Sequence, residues 1–211
     1  MTSKEKYLQL YKRLYSLYGE CICPLKHDSP FQLLAAVMLS AQCRDDRVNQ
    51  VTEKLFSLAP DARSMSIMPV EKIEEIIRPC GLSNNKSRNL HQCAVMLMEE
   101  FSGTVPCNMD DLVRLPGIGR KSANVILGNS FNIPGFPVDT HVKRLLNRIG
   151  MVKSDSPEAI EAEVNRLVPP ELWTNFSHLL IQHGRQVCSS RSPRCNDCII
   201  SEICKKVNVK K

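Results

Sequence analysis

The sequence predicts an all-α protein. Apolar residues recur at helical spacing along most of the chain, and no segment keeps the alternation of apolar and polar residues that marks a half-buried strand. The apolar stretches lie between residues that typically start a helix and residues that typically end one. With 211 residues, 43% of them hydrophobic and 24% charged, the chain has the composition of a globular protein and the length of one large domain or two small ones.

Most helices in the first half begin at a recognisable cap. Thr2 and Glu5 can form a capping box for a helix that runs to about residue 18. Ser29-Pro30 opens a helix over residues 31–40 that is apolar on almost all sides and is therefore predicted to be buried. Further helices are predicted over residues 45–58, from residue 69 to a stop at 79–81, and from residue 84 or 85 to 101.

A helical hairpin is predicted at the centre of the sequence. Asn108 can cap a short helix over residues 108–115, Pro116 ends it, and Gly117 and Gly119 allow the chain to turn into a second helix. The start of that second helix leaves backbone N–H groups unpaired at the positive end of the helix dipole, which suits a phosphate group. An ordinary helical hairpin has the same turn, so the motif alone does not decide the function.

The last third of the chain predicts three helices. The first covers residues 139–149 and ends at Gly150, the second begins at Ser156-Pro157, and the third covers about 172–187 after the Pro169-Pro170 break. Asp139 stands at the N-cap of the first of these helices, where a carboxylate is stabilised by the helix dipole.

Four of the ten cysteines lie close together near the C-terminus. Cys188, Cys195, Cys198 and Cys204 have the spacing C-x6-C-x2-C-x5-C. Four thiolates are ligands for zinc or for an iron–sulfur cluster. Structural zinc sites more often pair two short C-x2-4-C knuckles, whereas only Cys195 and Cys198 form one here, so the spacing favours an iron–sulfur cluster over zinc.

The net charge of +6 is unevenly distributed. Residues 114–153 carry seven Lys and Arg against the single acid Asp139, and residues 185–211 carry seven more against Asp197 and Glu202. Two basic segments on an otherwise acidic chain favour a polyanionic partner. An aromatic content of 5% argues against a stacking platform for single strands. The predicted partner is therefore duplex DNA.

The sequence favours a protein that works inside the cell. No apolar run approaches the roughly 20 residues of a membrane span, and the first residues do not resemble a signal peptide. We therefore expect a monomeric cytoplasmic protein associated with the nucleoid, with no membrane partner and without disulfides.

Three motifs together resemble the endonuclease III family, the DNA glycosylase/AP lyases of the helix-hairpin-helix superfamily. They are Leu-Pro-Gly-Ile-Gly-Arg-Lys at residues 115–121, Val-Asp-Thr-His at residues 138–141 and the four-cysteine loop, in the family's order and spacing. The resemblance implies a six-helix barrel domain over residues 22–133. It also implies a second helical domain, made of residues 1–21 and 134–211, that holds one [4Fe–4S] cluster on the four cysteines.

The resemblance also implies a reaction and its catalytic residues. The family excises oxidised pyrimidines from duplex DNA and cuts the strand at abasic sites by β-elimination. Lys121 matches the family's catalytic amine, which captures the sugar C1′ as a Schiff base, and Asp139 matches its catalytic carboxylate. A carboxylate can offset the positive charge that builds on the sugar as the base departs, or it can move a proton.

Further positions match residues with which the family contacts DNA. Gln42 resembles the residue that fills the space left by the extruded base, and Leu82 resembles the wedge residue. The other expected contacts come from the hairpin, the helix after Asp139 and the cysteine loop: Gly117, Gly119, Arg120, His141, Arg144, Arg191 and Arg194. The chain departs from the family where Cys43 and Arg44 replace small residues and where the cysteine loop is less basic, which leaves substrate range and DNA affinity open.

Two other functions would use many of the same residues. Adenine-excising mismatch glycosylases share the fold but carry a catalytic Glu where this chain has Ala36, and thymine-mismatch relatives usually lack the lysine. A non-enzymatic DNA-binding iron–sulfur protein could use the same basic segments and cysteines. It would have no need of Lys121 and Asp139 in their motifs, so the repair enzyme is favoured.

Overall fold

The computed structural model describes residues 2–209, and this range is helical with no β-strand, which confirms the predicted all-α class. The chain forms two units. We name Cys23–Ile133 the hairpin unit, and we name the segment up to Ile22 together with the segment from Pro134 the cysteine unit. No helix within residues 2–209 is long and apolar enough to cross a membrane.

The described residues contain eleven α-helices and three short 3-10 turns. The helices are α1 Ser3–Tyr18, α2 Pro30–Leu39, α3 Asp45–Leu58, α4 Ala62–Ile67, α5 Val70–Ile77, α6 Ser83–Glu100, α7 Met109–Leu112, α8 Arg120–Ser130, α9 Thr140–Ile149, α10 Pro157–Leu167 and α11 Trp173–Gln186. The 3-10 turns are Arg78–Cys80, Pro170–Leu172 and Ser201–Ile203.

Local capping chemistry explains why most predicted helix starts are confirmed. The Thr2 hydroxyl accepts a hydrogen bond from the Glu5 N–H, and the Glu5 carboxylate accepts one from the Thr2 N–H. Ser29 caps α2 and Ser156 caps α10, each with a proline in the first turn. Asn108 caps α7 through a hydrogen bond from the N–H of residue 111.

The structure departs from the prediction most clearly at three helices. α4 is absent from it, because six residues show too little periodicity, although Asp61 and Ser64 form a capping box. α7 ends at Leu112 rather than near residue 115, because the next N–H groups, of Arg114 and Leu115, bond three residues back instead of four. α6 begins at Ser83, directly after Leu82, whose backbone is left-handed with φ +51°.

α2 is the central helix of the hairpin unit. Every residue from 31 to 39 is buried, as its apolar sequence predicts. It packs against α3, α6 and α8, while α4 and α5 pack against α6. Each large apolar side chain removed from water contributes roughly 1.5–3 kcal/mol. This packed core holds the ends of the loops at its edge in fixed positions.

α9 and α11 form the centre of the cysteine unit. They approach so closely that a Cβ added at Gly184 would lie 2.9 Å from the Cβ of His141. α1 packs against α10 and α11, where the rings of Tyr7 and Phe176 meet edge to face at 6.5 Å. The first helix and the last helices of the chain therefore share one apolar core.

Candidate functional site

The turn of the hairpin between α7 and α8 depends on Gly117. Its φ of +83° lies in the left-handed region, and an added Cβ would lie 2.8 Å from Cε of Met38 and 3.2 Å from Cβ of Asn89. Gly119 differs, since its φ is −99° and an added Cβ would meet nothing within 4 Å. Gly117 is thus required by the fold, whereas Gly119 leaves open space beside the start of α8.

The first turn of α8 presents backbone N–H groups and a lysine to solvent. Gly119 is the N-cap and supplies no side chain to cover the N–H groups. Lys121 is the second residue of the helix and is exposed, while Ala123, Ile126 and Leu127 are buried in the core of the hairpin unit. Burial of one helix face therefore holds Lys121 on the solvent side.

Gln42 and Leu82 occupy exposed loops of the hairpin unit and share an unusual backbone conformation. Their φ angles are +55° and +51°, in the left-handed region that non-glycine residues rarely adopt. The large apolar side chain of Leu82 is 56% exposed. Strained residues of this kind cluster at functional positions, and an exposed amide and an exposed apolar side chain both suit entry into an opened base stack.

A buried lysine joins these two loops. Nζ of Lys86 donates to the carbonyl oxygens of Leu39 and Cys80, each at 2.9 Å, and Lys86 is only 6% exposed. Leu39 ends α2 just before Gln42, and Cys80 ends the 3-10 turn just before Leu82. Burial lowers the pKa of Lys86. This residue fixes the starting points of both loops, and its only sequence signal is a lysine on the apolar face of α6.

Asp139 caps α9 in the cysteine unit. Its Oδ1 accepts hydrogen bonds from the N–H groups of His141 and Val142, each at 2.8 Å, and the residue is half-buried. One carboxylate oxygen makes both capping bonds, so the second oxygen is not part of the cap. Lys121 and Asp139 thus belong to different units, Lys121 at the start of α8 and Asp139 at the start of α9.

Arg144 fixes the tautomer of His141, and burial keeps the ring neutral. Nη2 of Arg144 lies 3.0 Å from Nδ1 of His141, and a guanidinium can only donate, so the ring proton is assigned to Nε2. Burial lowers the pKa of His141, and the positive charges of Arg144 and Arg185 lower it further, while Asp139 raises it. His141 is therefore neutral at pH 7 and can donate from Nε2.

Two arginines of α9 also hold the start of the cysteine loop. Arg144 donates to the carbonyl oxygen of Cys188 from two nitrogens, at 3.0 and 3.1 Å. Arg148 donates to the carbonyl oxygens of Ser189 and Ser190 at 2.6 and 2.7 Å. Arg144, predicted as a DNA contact, thus has a structural role within the unit. The other predicted contacts of this loop, Arg191 and Arg194, are exposed, as is Arg120 on α8.

The four predicted cluster ligands line a single pocket. Its apolar walls come from Leu145 and Ile149 of α9 and from Val187, Ile200 and Val209. Arg148, Arg194 and Lys206 add positive charge. All ten cysteines are free thiols. Within residues 2–209, no three His, Cys, Asp or Glu side chains converge on a position for one metal ion. The site is thus an apolar cavity with four thiols in its wall.

Nitrogen donors lie against three of these sulfurs. Nη1 of Arg148 is 3.4 Å from Sγ of Cys188, and the backbone N–H of Lys206 is 3.4 Å from Sγ of Cys204. Nε2 of His183 is 3.4 Å from Sγ of Cys198. Hydrogen bonds to the sulfurs and nearby cations stabilise thiolate, the form that binds metals.

His183 links the cavity to α1 and was not predicted. Its Nδ1 lies 3.0 Å from the hydroxyl of Tyr18, and the ring is fully buried. Burial lowers the pKa of His183 to about 4, so the ring is neutral at pH 7. Its position on α11, five residues before Cys188, is the one signal by which the sequence could have revealed it.

Comparison with known proteins adds relatives that span the chain. The family model described as HhH-GPD superfamily base excision DNA repair protein matches residues 35–170. An endonuclease III of Synechocystis sp. is 42% identical over 96% of this chain and 93% of its own length. The endonuclease III of Escherichia coli K12 is 39% identical over 96% of each chain.

Solved structures give the same result. A non-covalent endonuclease III–DNA complex and a trapped endonuclease III–DNA covalent intermediate each match with a TM-score of 0.93 and 37% identity, over 98% of this chain and 97% of theirs. A thermostable thymine-DNA glycosylase, 20% identical with a TM-score of 0.87, shows a shared fold. The resemblance inferred from three motifs is confirmed: the chain belongs to the endonuclease III family of the HhH-GPD superfamily of base excision DNA repair proteins.

Proposed function

We propose that the chain excises oxidised pyrimidines from duplex DNA through a Schiff base on Lys121 and cuts the strand by β-elimination. As a member of the endonuclease III family, it is a DNA glycosylase and AP lyase of base excision repair. The observation that carries the choice of nucleophile is the exposed amine of Lys121 at the uncapped start of α8.

One covalent bond serves both steps of the reaction. Unprotonated Nζ of Lys121 attacks C1′ as the N-glycosidic bond breaks, and the base leaves with the bonding electrons. Loss of one proton from the nitrogen, followed by departure of O4′ from C1′ with uptake of a proton, opens the sugar and leaves an iminium at C1′ that keeps one N–H. The iminium acidifies the C2′ proton, whose removal expels the 3′ phosphate oxygen. The Asp139 carboxylate offsets the positive charge that develops on the sugar.

The DNA contacts follow from the exposed groups of each unit. Backbone N–H groups at Gly117 and Gly119, with Arg120, hold a phosphate of the duplex. Gln42 and Leu82 enter the gap left by the extruded nucleotide. Neutral His141 donates from Nε2 to the DNA backbone, and Arg191 and Arg194 add sequence-independent attraction. The substrate is duplex DNA with damaged pyrimidines or abasic sites, and the protein acts as a cytoplasmic, nucleoid-associated monomer.

The cysteine cavity fits a [4Fe–4S] cluster. Four thiols, N–H donors at two of the sulfurs, the ring nitrogen of His183 at a third and the surrounding cations match an anionic thiolate-bound cluster. Cys188, Cys195, Cys198 and Cys204 would hold it, and once bound it would cross-link the C-terminal loop. Its contribution is structural, and no bond-breaking step passes through it.

The test of the reaction is borohydride trapping on a duplex that carries one thymine glycol. Reduction of a Schiff base leaves a covalent protein–DNA adduct, and peptide mapping places it on a residue. An adduct at Lys121 supports the proposal. Excision of mismatched bases without a trapped adduct would favour the mismatch-specific alternative, and binding without excision would favour the non-enzymatic one.

Replacing Cys195 by Ser should remove stoichiometric iron and the brown colour of the purified protein. A cluster that closes the loop also adds its binding free energy to folding, so the cysteine unit should unfold at lower temperature. Metal analysis, visible absorption and thermal denaturation measure this. Cys107→Ser, an exposed cysteine of the hairpin unit, is the matched control and should change none of them. Stoichiometric zinc without iron in the wild-type protein would refute the iron–sulfur assignment.

Replacing Gly119 by Val should weaken binding to damaged and undamaged duplex alike, by about tenfold, because a side chain now stands between the phosphate and the N–H groups. The fold should persist, since an added Cβ meets nothing within 4 Å. Gly117→Ala is the contrasting variant. Its added Cβ would clash with Met38, so this substitution should lower the thermal stability of the protein, unlike Gly119→Val. Unchanged affinity of Gly119→Val at every salt concentration would mean that the hairpin does not hold the DNA.

A further inference from the structure

Lys86 is a buried cation that the proposed reaction does not use. It lies on α6, is 6% exposed, and its ammonium has two hydrogen-bond partners within residues 2–209, the carbonyl oxygens of Leu39 and Cys80, each at 2.9 Å. An apolar side chain of similar size would fill the same space at lower cost, because a buried charge loses its hydration. The two carbonyl bonds are therefore what the ammonium adds at this position.

Both carbonyl groups lie at the end of a helical segment, directly before a loop. Leu39 is the last residue of α2, and Cys80 is the last residue of the 3-10 turn. Carbonyl groups at such ends lack a partner within their own helix, and the helix dipole favours a cation there. We name residues 40–43 the Gln42 loop and residues 81–82 the Leu82 loop. Gln42 lies three residues after one bonded carbonyl, and Leu82 lies two residues after the other.

The residues at the tips of these loops depend on their surroundings to keep their conformation. Gln42 and Leu82 have left-handed φ angles of +55° and +51°. A non-glycine residue stays in this region only where neighbouring groups hold the backbone in place. The bonds from Lys86 hold a carbonyl group at the base of each loop, so one side chain supplies this restraint to both loops.

We propose that Lys86 is a positioning residue that makes the Gln42 loop and the Leu82 loop act as one unit in lesion recognition. This inference rests on the proposed function, in which both loop side chains enter the gap left by the extruded nucleotide. Because one ammonium holds the bases of both loops, entry of one side chain fixes the position of the other. Without the ammonium, both side chains remain present but act independently, while the start of α8 still holds the DNA backbone.

The restraint on the loops is tested by hydrogen exchange in the full-length protein without DNA. Lys86→Met keeps an unbranched side chain of similar length and removes the donors. The Cys43 N–H donates to the Ser40 carbonyl oxygen at 3.1 Å, and the Gly81 N–H donates to the Arg78 carbonyl oxygen at 3.2 Å, so these two amides report on the loops. Both should exchange at least tenfold faster in Lys86→Met. Faster exchange in one loop alone, or in neither, would overturn the proposal.

Two further variants separate this restraint from general stability. Leu97→Val removes packing from a buried residue near the other end of α6, so it lowers the overall stability and should leave exchange in both loops at the wild-type rate. Equal acceleration of the loops by Leu97→Val would overturn a specific role of Lys86. Lys86→Gln keeps N–H donors but is uncharged and one bond shorter. It should accelerate both loops to a smaller extent, and it replaces Lys86→Met if that variant does not fold.

Cooperation between the loops is tested by binding to a duplex that contains a tetrahydrofuran abasic analogue. With Lys86 present, Gln42→Ala and Leu82→Ala should each weaken binding about tenfold, and the double variant should lose about as much as either single one. In the Lys86→Met background the two losses should multiply to within about twofold, as they do at independent sites.

The outcomes of the two measurements can be told apart. The same coupling between Gln42→Ala and Leu82→Ala in both backgrounds would overturn the cooperation assigned to Lys86. A wild-type protein that binds the abasic duplex no better than undamaged duplex would instead count against the proposed function. Hydrogen exchange would then still decide whether Lys86 holds the two loops.

Discussion

Replacing Lys121 by Gln should abolish borohydride trapping and slow strand cleavage by at least about 10³-fold, equivalent to about 4 kcal/mol of activation free energy. Gln keeps a polar side chain of similar length but has no nucleophilic amine. Lesion binding should change little, because the backbone N–H groups and Gly117 are untouched. Single-turnover cleavage of thymine glycol duplex and a filter-binding assay measure the two effects.

Lys54 offers a matched control for this substitution. It is an exposed lysine on α3 of the same unit, so Lys54→Gln removes the same charge without removing the nucleophile. Its trapping yield and cleavage rate should equal those of the wild-type protein. A trapped adduct that persists in Lys121→Gln would assign the Schiff base to another amine.

Replacing Asp139 by Asn should lower base excision by roughly 10²–10³-fold, the usual cost of removing one group that stabilises transition-state charge. Asn retains Oδ1, so the capping bonds to His141 and Val142 should persist and the thermal stability should change little. On a preformed abasic site no base has to leave, and the aldehyde condenses with Lys121 directly. Asp139→Asn should therefore lose less activity on abasic DNA than on thymine glycol, whereas Lys121→Gln should be poor on both.

Asp155 serves as the control for charge alone. Its carboxylate pairs with the Lys143 ammonium at 3.0 Å and is 88% exposed, so Asp155→Asn removes one negative charge from the same unit at a residue that is not itself a helix cap. Excision and abasic cleavage should both stay at wild-type rates. Equal losses for Asp139→Asn on the two substrates would show that its carboxylate serves the lysine or the elimination step instead of the departing base.

Local chemistry explains how much of this fold the sequence could predict. The caps Thr2, Ser29 and Ser156 depend on residues within three positions of each other, so the helices they start are visible in the sequence. Residues whose conformation depends on partners far away in the sequence cannot be predicted in this way. Leu82 adopts a left-handed backbone because it connects the 3-10 turn to α6, and nothing in its own sequence indicates this.

The residues of the candidate site also fall into those that the sequence could predict and those that it could not. Residues that act through a motif, such as Lys121 after the hairpin glycines, were predicted from their position in it. Residues that act through tertiary contacts were missed: Lys86 holds carbonyl groups 47 and 6 positions away, and His183 contacts Tyr18 across 165 positions. Only folding brings such pairs together. Arg144 was predicted for its charge, but its hydrogen bonds within the unit could not be predicted from the sequence.

The cysteine unit is discontinuous in sequence, and this affects how the protein can fold during synthesis. Tyr7, Leu10 and Leu14 of α1 pack in a core that also contains Phe176 and Leu180, which leave the ribosome more than 150 residues later. At typical elongation rates that interval is roughly 10–30 s. The hairpin unit, Cys23–Ile133, can fold on the ribosome during this time, whereas the apolar face of α1 must wait without its partners. The nascent first helix is therefore the segment on which chaperone binding should be concentrated.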